Sequence, residues 1–459
     1  MLTKEEINFI LENKGSNTTK LLLSKSKLQA NLNISLCVKC IEARNKVEKK
    51  IPLWYKCNSI AYTHPLSVEQ CSSQLTAEYK QHLIKEVCAT STNDDEDGKT
   101  PKQINTVDFT GGMGVDSFFI SQIANNHYYI ERNSELCQTT EYNFAQLDAK
   151  NITVINKEIS IKQKELFNSL ATKNISLIYI DPARRSKTNS KIVSIKEYEP
   201  NILELLEPLF FISRYILVKV SPMEDIKLNL SLLPQTKEIH IVAVDNECKE
   251  LLFLLERDYQ KSEYKNREVI LKEGEQNSTI IRESESENEV KITAINLSSK
   301  VTSHKTSHEC SNAELHKHFS FTLPQENNAV ATYTNELGSY LYEPSKALLK
   351  SGAYKLASSH YNIDKLAPST HLYTSNELKT EFLGKIYTIK EVIEFNKKNI
   401  KAVAKQYPNA DITARNFPLD TNALKKLSGI KDGGFNHIFA TTLTSGKRVV
   451  IVTEREKNS

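Results

Sequence analysis

Two short segments of this sequence carry residue types that bind or transform a ligand at the end of a buried strand. The first is VDFTGGMGVDS, Val107 to Ser117, and the second is LIYIDPARR, Leu177 to Arg185, which begins about seventy residues later. Each places polar residues and turn formers directly after an apolar run, and open α/β sheets bind ligands at the carboxyl ends of such strands. We therefore expect the chemistry at these two strand ends.

The glycines of the first segment suit a turn that closes around a ligand. Gly112 and Gly114 let the backbone turn sharply and approach a ligand without a Cβ clash. Glu131 ends a further apolar run, HYYIE, seventeen residues beyond Gly114, which suits a carboxylate that a Rossmann-like unit presents to ribose hydroxyls. The set predicts a cofactor that contains adenosine, with Phe109 and Thr110 lining the glycine turn.

Two details favour S-adenosylmethionine over a dinucleotide. Counted from Gly112, the last position of G-x-G-x-x-G is Ser117, so the pyrophosphate fingerprint is incomplete. Asp116 would repel pyrophosphate but suits a ligand with a sulfonium and an ammonium, and Asp108 is placed to face that ammonium. Asp116 is equally compatible with a helix N-cap. The glycine turn alone is also compatible with an NAD-dependent oxidoreductase.

DFTGGMGVD, YYIERNSELC and IYIDPARR resemble motifs I, II and IV of class I SAM-dependent methyltransferases. Longer segments, among them YLYEPSKALLKSGAY, KLAPSTHLYTS and KDGGFNHIFATTL, resemble one bacterial group of these enzymes, and the resemblance covers most of the chain from about Ile51. It implies an α/β fold with a Rossmann-like class I methyltransferase sheet, followed by C-terminal ferredoxin-like and THUMP-like α+β domains. It also implies S-adenosyl-L-methionine as the cofactor.

The reaction site is predicted at Asp181 and Pro182. Methyl transfer from a sulfonium needs alignment of the nucleophile and an acceptor for its proton, and the Asp181 carboxylate with the Pro182 carbonyl could serve both needs. Ala183 and Arg184 stand where enzymes that methylate exocyclic amines usually have a proline and an aromatic residue, which argues against amine methylation. Glu158, at the end of ITVINKE, is predicted to reach the adenine.

The DP-x-R segment also resembles motif IV of the enzymes that methylate carbon 5 of uridine in RNA. Those enzymes need a cysteine nucleophile at the end of the next strand, where this chain has Ser221 and Pro222. Cys248 lies in DNECKELL, which we expect to be a packed helix. Carbon-5 chemistry is therefore disfavoured.

Two groups of basic residues are candidates for RNA contacts. Arg184 and Arg185 follow the predicted catalytic loop and could hold substrate phosphates, or could form ion pairs with Glu197 or Glu199. The net charge of the chain is only +4, yet residues 381 to 459 hold 14 Lys and Arg against 8 Asp and Glu. Within this tail a basic stripe recurs every four residues on a predicted helix: Lys397, Lys401 and Lys405.

The basic stripe is compatible with the solvated face of any helix, but beside a THUMP-like resemblance it indicates contacts to an RNA backbone. We therefore predict a SAM-dependent methyltransferase that acts on structured RNA such as tRNA or rRNA. A non-catalytic RNA-binding protein with a degenerate Rossmann-like domain is the alternative.

Composition shifts divide the chain into four predicted domains. Helical spacing in residues 3 to 50 predicts a helical N-terminal domain over 1-90. Strands alternate with helices from Ile104 to about Phe253, which predicts a mostly parallel doubly wound sheet in a methyltransferase domain over 91-325. The resemblance implies a ferredoxin-like domain over 326-380 and a THUMP-like domain over 381-459.

The remaining expectations concern location and metals. No apolar run approaches twenty residues and the start, MLTKEEINFI, is charged, so we expect neither a membrane span nor a signal peptide. The eight cysteines are typical of reduced thiols in a cytoplasmic protein. Cys37 and Cys40 form a lone C-x-x-C, and a further cluster lies between His304 and His318 in a polar stretch. Neither has the spacing of a structural zinc site, and no metal is expected.

Overall fold

The computed structural model describes residues 1–23, 31–90, 103–184, 195–259, 289–299 and 317–456. The chain divides into two compact units, the first formed by Met1–Lys237 and Leu252–Gln260, the second by Glu238–Leu251 and Lys261–Ser459. The division passes through two neighbouring strands, so each unit is described with its own part of them.

The first unit begins with helices, as the spacing of residues 3 to 50 predicts. They are α1 Lys4–Glu12, α2 Thr18–Leu23, α3 Ile34–Lys50, α4 Pro52–Lys56, α5 Pro65–Gln70 and α6 Gln74–Thr90. A capping box starts α1, because the Thr3 hydroxyl accepts from the Glu6 N–H while the Glu6 carboxylate accepts from the Thr3 N–H. Trp54 on α4 and Cys37 on α3 are fully buried in one apolar cluster with residues of the following sheet and its helices.

Strands and helices then alternate through the rest of the first unit. They are β1 Asn105–Asp108, α7 Val115–Ser121, β2 Asn126–Glu131, α8 Ser134–Gln146, β3 Ile152–Asn156, α9 Lys164–Ala171, β4 Leu177–Ile180, β5 Ala183–Arg184, β6 Tyr198–Glu199, α10 Ile202–Ile212, β7 Tyr215–Val220 and α11 Ile226–Leu232. The main strands are parallel in the order β7-β4-β1-β2-β3. β5 and β6 form a separate antiparallel pair.

The strand order creates a crevice between β1 and β4. The chain adds β2 and β3 on one side of β1 and then returns to place β4 on its other side. Such a reversal leaves the helices on either side diverging from the carboxyl ends of the two strands, which is where open α/β sheets bind ligands. The two segments that the sequence singles out end at this crevice.

A second group of strands includes β8 Thr236–Val244, β9 Glu247–Glu256, β10 Lys291–Leu297 and β11 Lys317–Thr322. Within the second unit their order is β11-β10-β8-β9. The expectation of a helix around Cys248 is wrong, because Cys248 lies in β9, which begins at Glu247. Asp245 and Asn246 both adopt positive φ, as a two-residue turn between antiparallel strands requires.

The rest of the second unit is built on one seven-stranded sheet. Its elements are α12 Leu323–Asn328, β12 Tyr340–Pro344, α13 Lys346–Ser351, α14 Tyr354–Tyr361, β13 Asp364–Ala367, β14 Thr370–Ser375, β15 Gly384–Glu394, α15 Lys397–Gln406, β16 Asn409–Arg415, α16 Thr421–Ser428, β17 Lys431–Thr442 and β18 Arg448–Arg455. The strand order is β13-β14-β12-β15-β18-β17-β16, and only β16 and β17 pair in parallel.

Several sequence predictions concern residues that the structure does not describe. The acidic run 91–102, Arg185 and most of the stretch 273–312 lie outside the described residues, as do His304, His308, Cys310 and His316. His318 is described and is exposed on β11. Among the described residues, no helix is both long and apolar enough to cross a membrane.

Candidate active site

The turn after β1 leaves no room for a side chain at two of its glycines, Gly111 and Gly114. A Cβ on Gly111 would lie 2.1 Å from the ring of Tyr129, and one on Gly114 would lie 2.5 Å from Thr140. Gly112 and Gly114 also have φ values of +52° and +81°, in the left-handed region that favours glycine. The Tyr129 hydroxyl donates to the Gly112 carbonyl across 2.6 Å, so the turn is fixed against β2.

Asp108 lies at the base of this turn and is almost completely buried. One carboxylate oxygen accepts from the Thr110 N–H at 2.9 Å, and the other accepts from the Ser117 hydroxyl at 2.6 Å. Burial raises the pKa of the Asp108 carboxyl to about 7, although these two hydrogen bonds favour the charged form. Asp108 therefore shapes the loop, and a nearby cation would favour its ionised form.

Glu131 is at the end of β2, beside the glycine turn. One of its oxygens accepts from the Gly112 N–H at 3.0 Å and the other accepts from the Asn133 N–H at 2.8 Å. The carboxylate is therefore held by a backbone N–H group on each of its two oxygens. Glu158 follows β3, is exposed, and lies 3.9 Å from the guanidinium of Arg132.

Thr110 connects the glycine turn to the second segment. Its hydroxyl accepts from the Asp181 N–H across 2.6 Å, which joins the carboxyl ends of β1 and β4. The Asp181 carboxylate forms an ion pair with Lys219, which comes from the end of β7 and is largely buried. Asp181 itself is about one third exposed, at 36% of its side-chain surface. The structure thus brings the two predicted strand ends together and adds a lysine to them.

Asp116 lies in the first turn of α7, but its carboxylate is directed into the protein. Ser72 and Tyr179 each donate a hydroxyl to it at 2.8 Å, and the Lys80 ammonium lies at 3.2 Å. Burial opposes its charge, yet Lys80 and Lys219 with these hydrogen bonds hold the pKa of Asp116 below its usual value. These contacts hold the Asp116 carboxylate inside the protein, and the N-cap position that the sequence also allows for it is taken by Gly114.

The remaining predicted residues of the two strand ends differ in burial. Pro182 is buried, Ala183 is exposed, and Arg184 pairs with Tyr198 in the short β5–β6 ribbon. Phe109 is buried with its ring 6.2 Å from that of Phe167, so it supports the turn from inside. Of the two predicted ion-pair partners for the arginines, Glu199 binds Arg132 at 3.1 Å.

The basic stripe of α15 is oriented as its spacing predicts. Ile400 and Val403 are buried beneath the helix, and Lys397, Lys401 and Lys405 are exposed.

The two thiols of the C-x-x-C lie in the core of the first unit, where burial raises the pKa of Cys37 to about 12 and that of Cys40 to about 11. No cluster of three or more His, Cys, Asp or Glu is arranged for a metal within the described part of the chain.

Sequence reasoning missed two lysines that pair with carboxylates here, Lys80, which is fully buried, and Lys219, which is largely buried. Lys219 interrupts the otherwise apolar strand YILVKV. Lys80 occupies a position on α6 that continues the buried face formed by Ala77 and Ile84. A charged residue within an apolar pattern is a usable signal, because burying an ammonium is unfavourable unless a carboxylate compensates it.

Two family models match parts of the chain, and one solved structure matches its whole length. A family model for a ferredoxin-like domain matches residues 340–382, and one described as THUMP domain-like matches residues 384–455. The crystal structure of a proposed methyltransferase from Porphyromonas gingivalis W83 covers 100% of both chains at 27% identity, with a TM-score of 0.76. This chain has a methyltransferase fold followed by ferredoxin-like and THUMP-like domains.

Shorter solved structures match a smaller part of this methyltransferase-like chain. An rRNA methylase from Streptococcus thermophilus is 14% identical and covers 39% of this chain and 93% of its own, with a TM-score of 0.26. A proposed methyltransferase from Streptococcus mutans, solved in complex with SAH, is 17% identical and covers 39% and 96%, with a TM-score of 0.27. No curated protein matches the chain.

Proposed function

We propose that the protein is a SAM-dependent methyltransferase that acts on structured RNA such as tRNA or rRNA. The observation that carries the proposal is the hydrogen bond from the Asp181 N–H to the Thr110 hydroxyl. It joins a glycine turn that suits a cofactor to an acidic loop that suits a nucleophile, and it does so at the switch point of the sheet. The full-length match to the Porphyromonas gingivalis protein supports the methyltransferase half of the proposal.

The residues at the glycine turn fit S-adenosylmethionine. Glu131 would bind the ribose hydroxyls, because each carboxylate oxygen can accept a second hydrogen bond, and Asp108 would attract the ammonium through its charge. The bound cofactor would supply an electrophilic methyl group. Phe109, Thr110, Gly112 and Gly114 would form the turn around it, and Glu158 would reach the adenine from β3.

Asp181 and Pro182 would act on the substrate. The Asp181 carboxylate, oriented by the Lys219 ammonium, would accept the proton of the attacking nucleophile, and the Pro182 carbonyl would accept a further hydrogen bond. Arg184 and Arg185 would hold phosphates. Lys219 is a positioning residue in this scheme, because it acts through Asp181.

The C-terminal region that matches the THUMP-like model would bind the RNA. Lys397, Lys401 and Lys405 form an exposed basic face in the part of the chain that matches the THUMP-like model, which supports backbone contacts. We propose a helical domain over 1-90, a methyltransferase domain over 91-325, a ferredoxin-like domain over 326-380 and a THUMP-like domain over 381-459. A cytoplasmic location is part of the same proposal.

The first test measures methyl transfer with labelled S-adenosylmethionine and separated tRNA, rRNA, DNA and protein fractions. We expect label in an RNA fraction, and Asp181→Asn should lower the rate about 100-fold or more because the proton acceptor is lost. Calorimetry should find the affinity for the cofactor within a few-fold of wild type. Asp148→Asn is the matched control, since Asp148 is exposed and pairs only with surface Lys150 among the contacts described.

Two results would contradict the proposal in different ways. Absence of binding at millimolar S-adenosylmethionine would contradict the proposed enzymatic activity and favour the alternative of a non-catalytic RNA-binding protein. Label in the DNA or protein fraction alone would retain the methyltransferase and remove RNA as its substrate.

A further inference from the structure

An exposed phenylalanine stands on a bulge of β17, in the region that matches the THUMP-like model. Phe435 is 89% exposed, and its ring forgoes the gain in free energy that burial would give. In the pairing of β16 with β17, Asn409 faces Lys431 and the next residue, Ala410, faces Asn436. Residues 432–435 of β17 therefore form a bulge that has no partner in β16 between two consecutive pairs.

The bulge is held in place by contacts on both sides. Gly433 and Gly434 have φ values of +103° and +91°, and a Cβ on Gly434 would lie 2.5 Å from the Asn409 carbonyl oxygen. The Gly433 N–H donates to Asp411 at 3.2 Å, and Asp432 forms an ion pair with Lys425. These contacts hold the backbone of the bulge that carries Phe435.

Exposed lysines lie at the edge of the sheet that carries Phe435, which is the edge at which β16 and β17 begin. β16 and β17 are parallel, so the ends of α15 and α16 that lead into them lie at the same edge, and the Lys431 N–H donates to the Pro408 carbonyl across 3.0 Å. Three exposed lysines stand in these segments: Lys405, Lys426 and Lys431. Two carboxylates also lie in the bulge region: Asp432 is paired with Lys425, and Asp411 accepts from the Gly433 N–H.

We propose that Phe435 is a stacking site for an unpaired base of an RNA strand whose phosphates lie along the lysines of this edge. Aromatic rings within a basic surface are the usual platform for single strands, because every base offers a π face and the lysines attract the backbone. In a duplex the base faces are covered by stacking, so this site would take a single-stranded segment. The inference rests on the proposed RNA function and adds to it the form of RNA that the C-terminal region engages.

The test uses the full-length protein and two fluorescein-labelled probes, an oligoadenylate of about 12 nucleotides and an RNA duplex of similar length. By anisotropy, Phe435→Ala should weaken binding of the oligoadenylate at least about five-fold, which is the lower end for loss of one stacked base. Phe435→Trp should restore it, and duplex binding should not change in either variant. Val330→Ala is the matched control, since Val330 is 79% exposed in the same unit.

Phe435→Trp also gives a direct signal. The chain has one tryptophan, Trp54, which is fully buried, so added oligoadenylate should quench the new tryptophan and leave the wild-type emission unchanged. Unchanged oligoadenylate affinity in Phe435→Ala would overturn the stacking site while leaving the methyltransferase proposal intact. A Phe435→Ala protein that loses self-association but not RNA binding would assign the ring to a contact between copies. Failure of the wild type to bind either probe would overturn the RNA part of the proposed function as well.

Discussion

At the scale of single residues, three carboxylates near the crevice have different environments. Asp108 is buried with hydroxyl and amide donors, Asp116 is buried beside the Lys80 ammonium, and Asp181 is partly exposed and paired with Lys219. Burial raises the pKa of Asp108, whereas the lysines hold that of Asp116 below its usual value. Environments that separate pKa values in this way usually separate roles.

The pKa of Asp108 predicts how cofactor affinity depends on pH. Burial raises the pKa of the Asp108 carboxyl from 3.8 to about 7, so the carboxyl of the folded protein stays protonated between about pH 4 and pH 7. A bound ammonium favours the ionised form of the carboxyl. Affinity for S-adenosylmethionine should therefore rise with pH up to about 7, by about ten-fold for each pH unit below that value. Calorimetry at several pH values measures this slope.

Two controls isolate the contribution of Asp108. Asp108→Asn should bind the cofactor more weakly at high pH and lose this part of the pH dependence. Methylthioadenosine has no ammonium, so its affinity for the wild type should change little over the same range. An equal slope in Asp108→Asn would assign the titration to another group.

At the scale of elements, a buried ion pair connects α6 to α7 and β4. Lys80 on α6 has no exposed side-chain surface, and it contacts Asp116 on α7 and the Ser72 hydroxyl that precedes α6. Tyr179 on β4 donates to the same carboxylate. The helical beginning of the chain is therefore tied to the glycine turn by polar contacts as well as by the shared apolar cluster around Trp54.

We predict that Lys80→Met destabilises the protein by about 3–5 kcal/mol, because it leaves the Asp116 charge buried without its main partner. The double variant with Asp116→Asn should regain most of this loss, since the remaining group is neutral. Urea unfolding followed by circular dichroism measures both values. Lys150→Met removes an exposed pair and should change stability by less than about 1 kcal/mol. A loss of that small size in Lys80→Met would show that the buried pair is not a structural link.

At the scale of the whole molecule, the ferredoxin-like and THUMP-like regions share one sheet. β12 of the first pairs with β15 of the second from Tyr340↔Thr388 to Pro344↔Gly384. The sequence predicts two α+β domains, and the continuous pairing means that neither has a free sheet edge at this junction. We therefore expect the two regions to unfold together.

The basic face of α15 should act on RNA through charge alone. Replacing Lys397, Lys401 and Lys405 by glutamine should weaken binding of every RNA probe and reduce the slope of log affinity against log salt by about two. Cofactor affinity should not change. The matched control replaces three exposed lysines of the first unit, Lys162, Lys164 and Lys173, and should leave the slope as it is. A salt slope that the α15 variant retains would exclude this face from RNA binding.

Much of the candidate site could be predicted from local sequence. Gly112, Gly114 and Glu131 stand where the pattern of strand, turn and acid requires them, because a glycine turn and a strand end are local features. The prediction of a helix at Cys248 is wrong. The apolar run of β9 has no clear helical or strand period, and the turn at Asp245–Asn246 that precedes it makes the segment the second strand of a hairpin. The roles of three residues could not be predicted, because their environments are formed by residues far away in the chain: Lys80, Lys219 and Phe435.

The sequence by itself determined the two strand ends, the succession of strands and helices, and the basic face of α15, because periodicity and turn residues act over short distances. The tertiary structure decided which ends meet. It places β4 beside β1, pairs Asp181 with Lys219, directs Asp116 inward to Lys80, and exposes Phe435 on a bulge of β17. Strand order, buried charge pairing and bulges depend on long-range contacts, whose free energies no local pattern contains.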